Sequence, residues 1–226
     1  MYAKYFKRIL DFCLSLMALI ALGPVLLILT AVGAYKMKGN PFFTQPRPGK
    51  DEKVFKLIKF RSMTCEKDAS GKLLPDEQRL TRYGMMLRNS SLDELPELIN
   101  ILKGDMSIVG PRPQLVRDMV FMTPQQRRRH TVAQGLTGLA QINGRNSITW
   151  EEKFAYDLQY IDEGITFWND LKIIFKTVGK VFRQEDTVRE GTATDKDYGE
   201  WLLERGAITQ EAYEQRQEES RELLEV

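Results

Sequence analysis

Phe12–Tyr35, FCLSLMALIALGPVLLILTAVGAY, is the stretch that governs everything else about the architecture. Its 24 residues carry no charge, and at ~1.5 Å per residue a helix of that length matches a hydrocarbon core of ~30 Å. No later stretch of the chain competes with it. Cations flank it on both sides, Lys4, Lys7 and Arg8 before it and Lys36 and Lys38 after it. Cytoplasmic loops collect such residues, so neither end reads as exported. At Gly23-Pro24, proline deletes a backbone donor and crowds the preceding turn, so a helix should bend or break there. These features favour a re-entrant membrane hairpin over residues 1–38, helix–break–helix with Gly23 and Pro24 as the break, entering and leaving one leaflet. Two other readings compete: a straight single-pass anchor, and a signal peptide with a loose cleavage-like Val32-Gly33-Ala34. The run exceeds the usual ~7–15-residue signal core. Asp11, at the entrance, is expected at headgroup level.

Outward from this segment, the 226 residues allow one ordinary domain plus an appendage. Hydrophobic residues at 42% and charged residues at 28% describe a chain with a real core. Two cysteines and one histidine exclude a disulfide framework and a Cys/His zinc site, and suit a reducing compartment. The net charge of +2 hides an asymmetry: residues 1–183 hold 28 Lys/Arg against 18 Asp/Glu, and residues 184–226 hold 5 against 13. A basic body suits anionic lipid, nucleotide or nucleic acid, whereas an acidic tail suits solvent or another protein.

Along the body, Pro41–Gly49 (PFFTQPRPG) reads as a proline-rich connector, and Lys53–Met63 (KVFKLIKFRSM) as a strand with Lys59 and Arg61 on one polar edge. Cys65–Thr81 is a polar surface excursion. Tyr83–Asn89 forms a short helix ending at Arg88. Pro96 is tolerated only in a first turn, which predicts a helix Asp93–Lys103 stopped by Gly104. Met106–Val109 is a short strand leading into the stiff loop Gly110-Pro111-Arg112-Pro113. Thr123-Pro124 opens a helix carrying Arg127, Arg128, Arg129 and His130. Gln134–Arg145 (QGLTGLAQINGR) is glycine-punctuated and presents Arg145 after an Asn143-Gly144 turn. Thr149 caps a helix Trp150–Ile161. Phe167–Arg183 is amphipathic, with Lys172, Lys176 and Lys180 on one face; it fits a bilayer surface and equally a core helix with a solvated lysine stripe. Asp197–Val226 is acidic and helical in part. The fold class that results is mixed α/β, mostly helical, with a small β element and amphipathic interfacial helices.

One histidine inside an Arg-Arg-Arg-His run is poorly placed for catalysis, so carboxylates must carry any reaction. The best candidates are Asp93 and Glu94 in Ser90–Pro96. A purely structural reading makes Ser91-x-x-Glu94 a capping box, its acids stabilised by the helix dipole by ~0.3–1 kcal/mol. The functional reading is that the same helix N-terminus keeps Asp93 ionised and favours phosphate, bringing a carboxylate nucleophile to its substrate. Two facing anions need cations, and Lys59, Arg88, Arg112 and Arg145 stand on strand edges, helix ends and Gly/Pro turns. Any one of them alone reads as a solvated surface charge. A P-loop and a dinucleotide G-x-G-x-x-G are absent.

Six motifs in order carry a resemblance: Gln45–Gly49 (QPRPG), Lys59–Met63 (KFRSM), Ser91–Leu98 (SLDELPEL), Gly104–Ser107 (GDMS), Gly110–Pro113 (GPRP) and Gly135–Arg145 (GLTGLAQINGR). Over roughly residues 1–190 the chain resembles the bacterial monotopic phosphoglycosyl transferases. It is most similar to the small undecaprenyl-phosphate N,N′-diacetylbacillosamine 1-phosphate transferases. The resemblance implies that Asp93 attacks the β-phosphorus of a UDP-sugar, N,N′-diacetylbacillosamine or a related N-acetylated sugar. UMP leaves, an aspartyl phosphosugar forms, and undecaprenyl phosphate takes the phosphosugar in the first membrane step of glycan assembly. It further implies Mg²⁺ with Asp93 as its protein ligand, Glu94 as the second member of the dyad, and phosphate or nucleotide contacts at Lys59, Arg88, Arg112, Gln141 and Arg145. Residues 39–190 then form a catalytic domain on the cytoplasmic face of the bacterial inner membrane, followed by an acidic extension, residues 191–226. A homodimer or pathway glycosyltransferases are further candidate partners; nucleic acid is not. The chain departs from the family pattern at Ala133-Gln134, where Arg-Pro is common, at Gly23-Pro24, where Ser-Pro or similar is usual, and in residues 199–226, which have no counterpart. The rival reading is a non-catalytic membrane-anchored module for anionic lipid or nucleic acid. Against nucleic acid, the arginines lie beside Gly and Pro and not among aromatics.

Overall fold

One stripe of the N-terminal helix α1 (Lys7–Lys36) is held against the rest of the chain: Lys7, Asp11, Ser15, Leu29 and Gly33 are buried. The computed structural model describes residues 1–144, 147–183 and 196–225. The outward face of α1 shows Ile9, Phe12, Met17, Ile20, Leu27 and Ile28 to the surroundings. The expected break at Gly23-Pro24 does not divide the helix, which runs through Pro24 as one element. Proline costs the Ile20 carbonyl its i→i−4 donor, and the Pro24 side chain is itself exposed. Both ends of α1 dock on the same body. At the start, Lys7 Nζ donates to Asp170 at 2.5 Å, Arg8 reaches the Ile101 and Leu102 carbonyls, and Asp11 accepts from Ser107 Oγ and Ile108 N–H. Asp11 is therefore buried in a hydrogen-bonded seat. At the far end, Tyr83 Oη donates to the Leu29 carbonyl, and Leu29 packs with Phe60 and Leu87.

After α1, β1 (Phe42–Pro48) and β2 (Val54–Phe60) form an antiparallel pair, Phe42 opposite Phe60 and Pro48 opposite Val54. Residues 41–49 are thus mostly strand where composition indicated a connector. Pro46 and Pro48 are accommodated because each member of a two-stranded pair has an open edge that asks for no N–H. The next elements are α2 (Asp76–Arg79), α3 (Arg82–Asn89), a 3₁₀ turn at Leu92–Glu94, α4 (Glu97–Lys103) and β3 (Met106–Val109). Then come α5 (Val116–Met119), α6 (Pro124–Arg127), β4 (Gln134–Thr137), α7 (Leu139–Ile142), α8 (Trp150–Asp162) and α9 (Phe167–Arg183). β3 and β4 pair in parallel, with Met106 opposite Gln134. The described chain is mostly helical with these small sheets, and α1 is the one described helix long and apolar enough to cross a membrane.

Several predicted signals are where they were expected. Gly104 ends α4 at φ +97°, Thr123 and Thr149 cap their helices through reciprocal bonds with Gln126 and Glu152, and α9 begins and ends as the periodicity requires. On α9, Ile173 and Asp170 face inward while Trp168, Phe175 and Val178 are exposed beside Lys172 and Lys176. The acidic tail keeps most of its carboxylates exposed but is anchored to the body. α10 (Tyr198–Glu204) and α11 (Gln210–Glu225) pack back on α5, and Tyr198 joins Met122, Trp150 and Phe154 in an aromatic cluster.

Candidate active site

The candidate site begins with a turn that sequence grammar did not anticipate. One residue past Ser90, which closes α3, Ser91 takes a left-handed φ of +54°, the chain makes one 3₁₀ turn, and regular helix resumes only at Glu97 after Pro96. The predicted helix start near Asp93 is corrected accordingly: Ser91 supplies no side-chain cap, and the capping box is not formed. Asp93 and Glu94 therefore owe their positions to a turn and not to a helix terminus.

That turn sends the two carboxylates to different work. Glu94 is buried and accepts from Lys59 Nζ at 3.2 Å and from Arg112 Nη2 at 2.5 Å. Lys59, near the end of β2, also reaches Glu97 at 3.1 Å. Asp93 lines the wall of a cavity of about 650 Å³ shared with Lys59, Arg88, Glu94 and Arg112. The Glu94 carboxylate holds the Arg112 guanidinium well above its ordinary range, and Glu97 and Asp93 add to the effect. Burial lowers Arg88, while the negative charge of Asp93 pulls it back up. Burial raises the Glu97 carboxyl, which Lys59 opposes.

Each cation is fixed from behind. α3 approaches the end of β2 so closely that a Cβ on Gly84 would lie 1.8 Å from the Ser62 carbonyl oxygen. Glycine there lets Arg88, one turn on, donate Nε to Ser62 Oγ at 2.9 Å. The Arg112 loop is gripped by Arg129 Nη2 on the Arg112 carbonyl at 2.5 Å and by Arg47 Nη1 on the Pro113 carbonyl at 3.1 Å. Arg129 is itself fully buried against Asp157, at 2.9 and 2.8 Å. Burial and the neighbouring Arg112 push Arg47 down to about 10. Asp118 ties the loop further, accepting Leu115 N–H at 3.0 Å.

Of the residues singled out from sequence, Lys59, Arg88, Asp93, Glu94 and Arg112 meet at one cavity. Gln141 does not line it; its amide is buried beside Gly138 without a hydrogen-bond partner. Arg145 lies outside the described residues. Arg61, expected to share an edge with Lys59, lines the cavity but bonds the Asn40 and Phe42 carbonyls at the start of β1. Among the described residues no group of three or more His, Cys, Asp or Glu forms a metal cage. Two adjacent carboxylates, one at the wall of an open cationic cavity, fit a Mg²⁺ that takes few protein ligands and completes its shell with substrate phosphates and water. His130 is buried and pushed down to about 3 by burial and by Arg129 and Arg127, so it stays neutral and outside the chemistry.

Sequence reasoning missed Arg47, Glu97, Asp118, Trp150, Lys153, Lys196 and Asp197, all on the cavity wall. Glu97 carried a signal, standing one helical turn beyond Glu94 in the same motif. Lys196 and Asp197 carried none, because their place depends on the chain returning to α5 from 80 positions away.

The family described as bacterial sugar transferase matches residues 2–184. An uncharacterized sugar transferase, EpsL of Bacillus subtilis (strain 168), is 49% identical over 79% of this chain and 88% of its own length. The UDP-glucose:undecaprenyl-phosphate glucose-1-phosphate transferase of Klebsiella pneumoniae is 42% identical over 78% of this chain and 40% of its own. Galactosyl transferase CpsE of Streptococcus agalactiae serotype III (strain NEM316) is 38% identical over 76% of this chain and 41% of its own. The chain thus spans about two fifths of these last two relatives and most of the first. With four of its six motifs contributing residues to one cationic cavity, the chain belongs to the bacterial sugar transferase family.

Proposed function

We propose that the protein moves a sugar 1-phosphate from a UDP-sugar to undecaprenyl phosphate, with Asp93 as nucleophile. One observation carries this reading: Asp93 and Glu94 stand side by side on the wall of one cavity together with Lys59, Arg88 and Arg112, the cations a diphosphate requires. The names of the Klebsiella relative and of an Escherichia coli (strain K12) relative, 39% identical over 79% of this chain, describe the same transfer with glucose.

In the first step an Asp93 carboxylate oxygen bonds to the β-phosphorus, and the bond from that phosphorus to the bridging oxygen breaks, its electron pair leaving with UMP. In the second, an oxygen of the lipid phosphate attacks the same phosphorus, and the bond to Asp93 breaks, restoring the carboxylate. The acceptor is largely ionised at neutral pH, since a phosphate monoester has a second pKa near ~6, so no general base is needed. Glu94 accordingly acts by holding Lys59 and Arg112 in place. Mg²⁺, held through Asp93, would neutralise the diphosphate when bound.

The donor sugar falls within the UDP-linked hexoses. Resemblance favours an N-acetylated one such as N,N′-diacetylbacillosamine, whereas the relatives' names specify glucose and galactosyl transfer. α1 is monotopic in this reading, on the cytoplasmic face of the bacterial inner membrane: both its ends dock on one body, its outward face is apolar, and α9 adds exposed Trp168 and Phe175 between lysines. The site then lies where a soluble donor and a lipid phosphate can meet.

The test is UMP release from a panel of UDP-sugars, with and without undecaprenyl phosphate. Asp93→Asn should reduce transfer by at least a thousandfold while the protein remains in the membrane fraction. Wild type mixed with donor alone should gain the mass of one phosphosugar. Turnover by the variant at the wild-type rate would remove Asp93 as the nucleophile.

A further inference from the structure

Arg112 is carried to the cavity by the loop 110–115, whose fixing points come from separate parts of the chain. At its start, Gly110 N–H donates to the Thr137 carbonyl at 2.9 Å and Gly135 N–H to the Pro111 carbonyl at 2.8 Å, so β4 holds that end. In the middle, Arg129 and Arg47 grip the Arg112 and Pro113 carbonyls; Arg47 comes from β1, whose alternate residues Phe43, Gln45 and Arg47 line the cavity. At its far end the loop runs into α5, a single four-residue turn. A helix that short does not stand on its own hydrogen bonds. Asp118 steadies it from a buried position: one carboxylate oxygen accepts from Leu115 N–H at 3.0 Å, the other from Tyr198 N–H at 2.9 Å. Tyr198 opens α10, beyond residue 184, where the family match stops.

We infer that the C-terminal segment 196–225 is a positioning element for the transfer reaction, and that Asp118 relays its hold to the loop carrying Arg112. This rests on the transferase reading above, in which Arg112 faces the diphosphate. Asp118 is a positioning residue: each of its oxygens is engaged by a backbone N–H, one on the loop and one on the segment. It acts on the loop a second time through its charge. Burial disfavours the charged form of Arg47, and the neighbouring Arg112 adds repulsion; Asp118, with Glu97, opposes both. Arg47, at about 10, thereby stays charged at neutral pH while it grips the Pro113 carbonyl.

The segment is seated firmly enough to serve as a support. The Tyr198 ring is buried among Met122, Trp150 and Phe154. A Cβ on Gly199 would lie 2.5 Å from the Phe121 ring, so glycine admits α10 against the chain just past α5. Phe121 in turn stacks on Tyr213 of α11 at 5.6 Å. Arg216 donates to the Val120 carbonyl at 2.8 Å, satisfying one of the acceptors that a helix leaves open at its C-terminus. Arg117 on α5 also pairs with Asp197, at 3.3 Å, and Asp197 caps α10 through the Glu200 N–H. Both faces of the arrangement thus meet at α5, with the segment on one side and the Arg112 loop on the other. Arg216, unlike Asp118, is not among the described residues that line the cavity.

The experiment uses the full chain in membranes or detergent. Asp118→Asn leaves one amide oxygen for two N–H donors and removes the charge opposite Arg47, so kcat/KM for the UDP-sugar should fall about ten- to a hundredfold. Arg216→Ala, which leaves the cavity wall intact, should lower it about threefold, and Arg216→Lys, whose ammonium can donate to the same carbonyl, should restore it. In an Arg112→Lys background both losses should shrink to within about twofold, since the group being positioned is already gone. The same cycle read as UMP affinity by calorimetry needs no turnover and should show the same coupling. Losses that carry undiminished into the Arg112→Lys background would mark a merely structural role and overturn the inference, as would wild-type kcat/KM in Arg216→Ala. Should Asp118→Asn fail to fold, Arg216→Ala and its rescue decide the matter. If the wild type releases UMP from no donor, the transferase reading fails and this inference fails with it. Wild-type turnover with indifferent variants sinks only the role of the C-terminal segment.

Discussion

At the level of single residues, the position that matters most is one the motif grammar described wrongly. Ser91-x-x-Glu94 has the spacing of a capping box, yet the left-handed Ser91 turns the chain before any helix can use it, and Glu94 goes to Lys59 and Arg112 instead. The identities of Asp93, Glu94 and the three cations were legible because their types and turn-bound positions suit a phosphate. Their convergence was not, because it depends on buried supports such as Arg129 on Asp157 that look in sequence like ordinary surface charges. Gly84 is a residue whose value is purely spatial. Gly84→Ala would press a methyl into the Ser62 carbonyl, forcing α3 away from β2. We expect a loss of about 1–3 kcal/mol in stability, read as a lower Tm. Transfer should drop as well, because Arg88 loses its seat on Ser62. A variant with wild-type Tm and activity would mean that α3 can shift at no cost.

Among elements, β1 and α1 show where local rules lose to tertiary context. The prolines of residues 41–49 argued for a connector, but a two-stranded pair offers open edges, and the strand supplies the floor of the cavity. Pro24 argued for a divided helix, but α1 continues through it. The proposed monotopic arrangement therefore does not require a break. It depends on docking, since a helix crossing to the far side could not keep both Lys7 on Asp170 and Leu29 beneath Tyr83. In right-side-out cells, an impermeant amine reagent should modify neither Lys4 nor Lys38, whereas inverted vesicles should expose both. Labelling of Lys4 from the periplasmic side would establish a spanning helix instead.

For the molecule as a whole, the charge asymmetry was readable and its meaning was not. The acidic C-terminal part closes onto the basic body through Tyr198, Arg216 and Asp118, and burial raises that aspartate. Global stability carries a pH signature from His130. Its ring is held down to about 3 in the fold, whereas the unfolded ring titrates near 6.5. The unfolded chain thus binds more protons between these values, so this contribution to stability is intact above ~6.5 and declines as pH falls towards ~3. Between pH 7 and 5 the wild type should lose on the order of 1–2 kcal/mol more than His130→Gln. Parallel melting curves for the two proteins would contradict this.

The contact between Lys7 and Asp170 spans 163 positions, which sets a timetable for biosynthesis. At ~5–20 residues per second a ribosome needs roughly 10–30 s to deliver the aspartate after the lysine has emerged. Until Phe60, Leu87 and Ser107 have followed, the greasy opening helix has nothing of its own chain to settle on, so the bilayer or a chaperone must shelter it first. The nascent protein is then already tethered at the lipid surface when its remaining helices assemble around that tether.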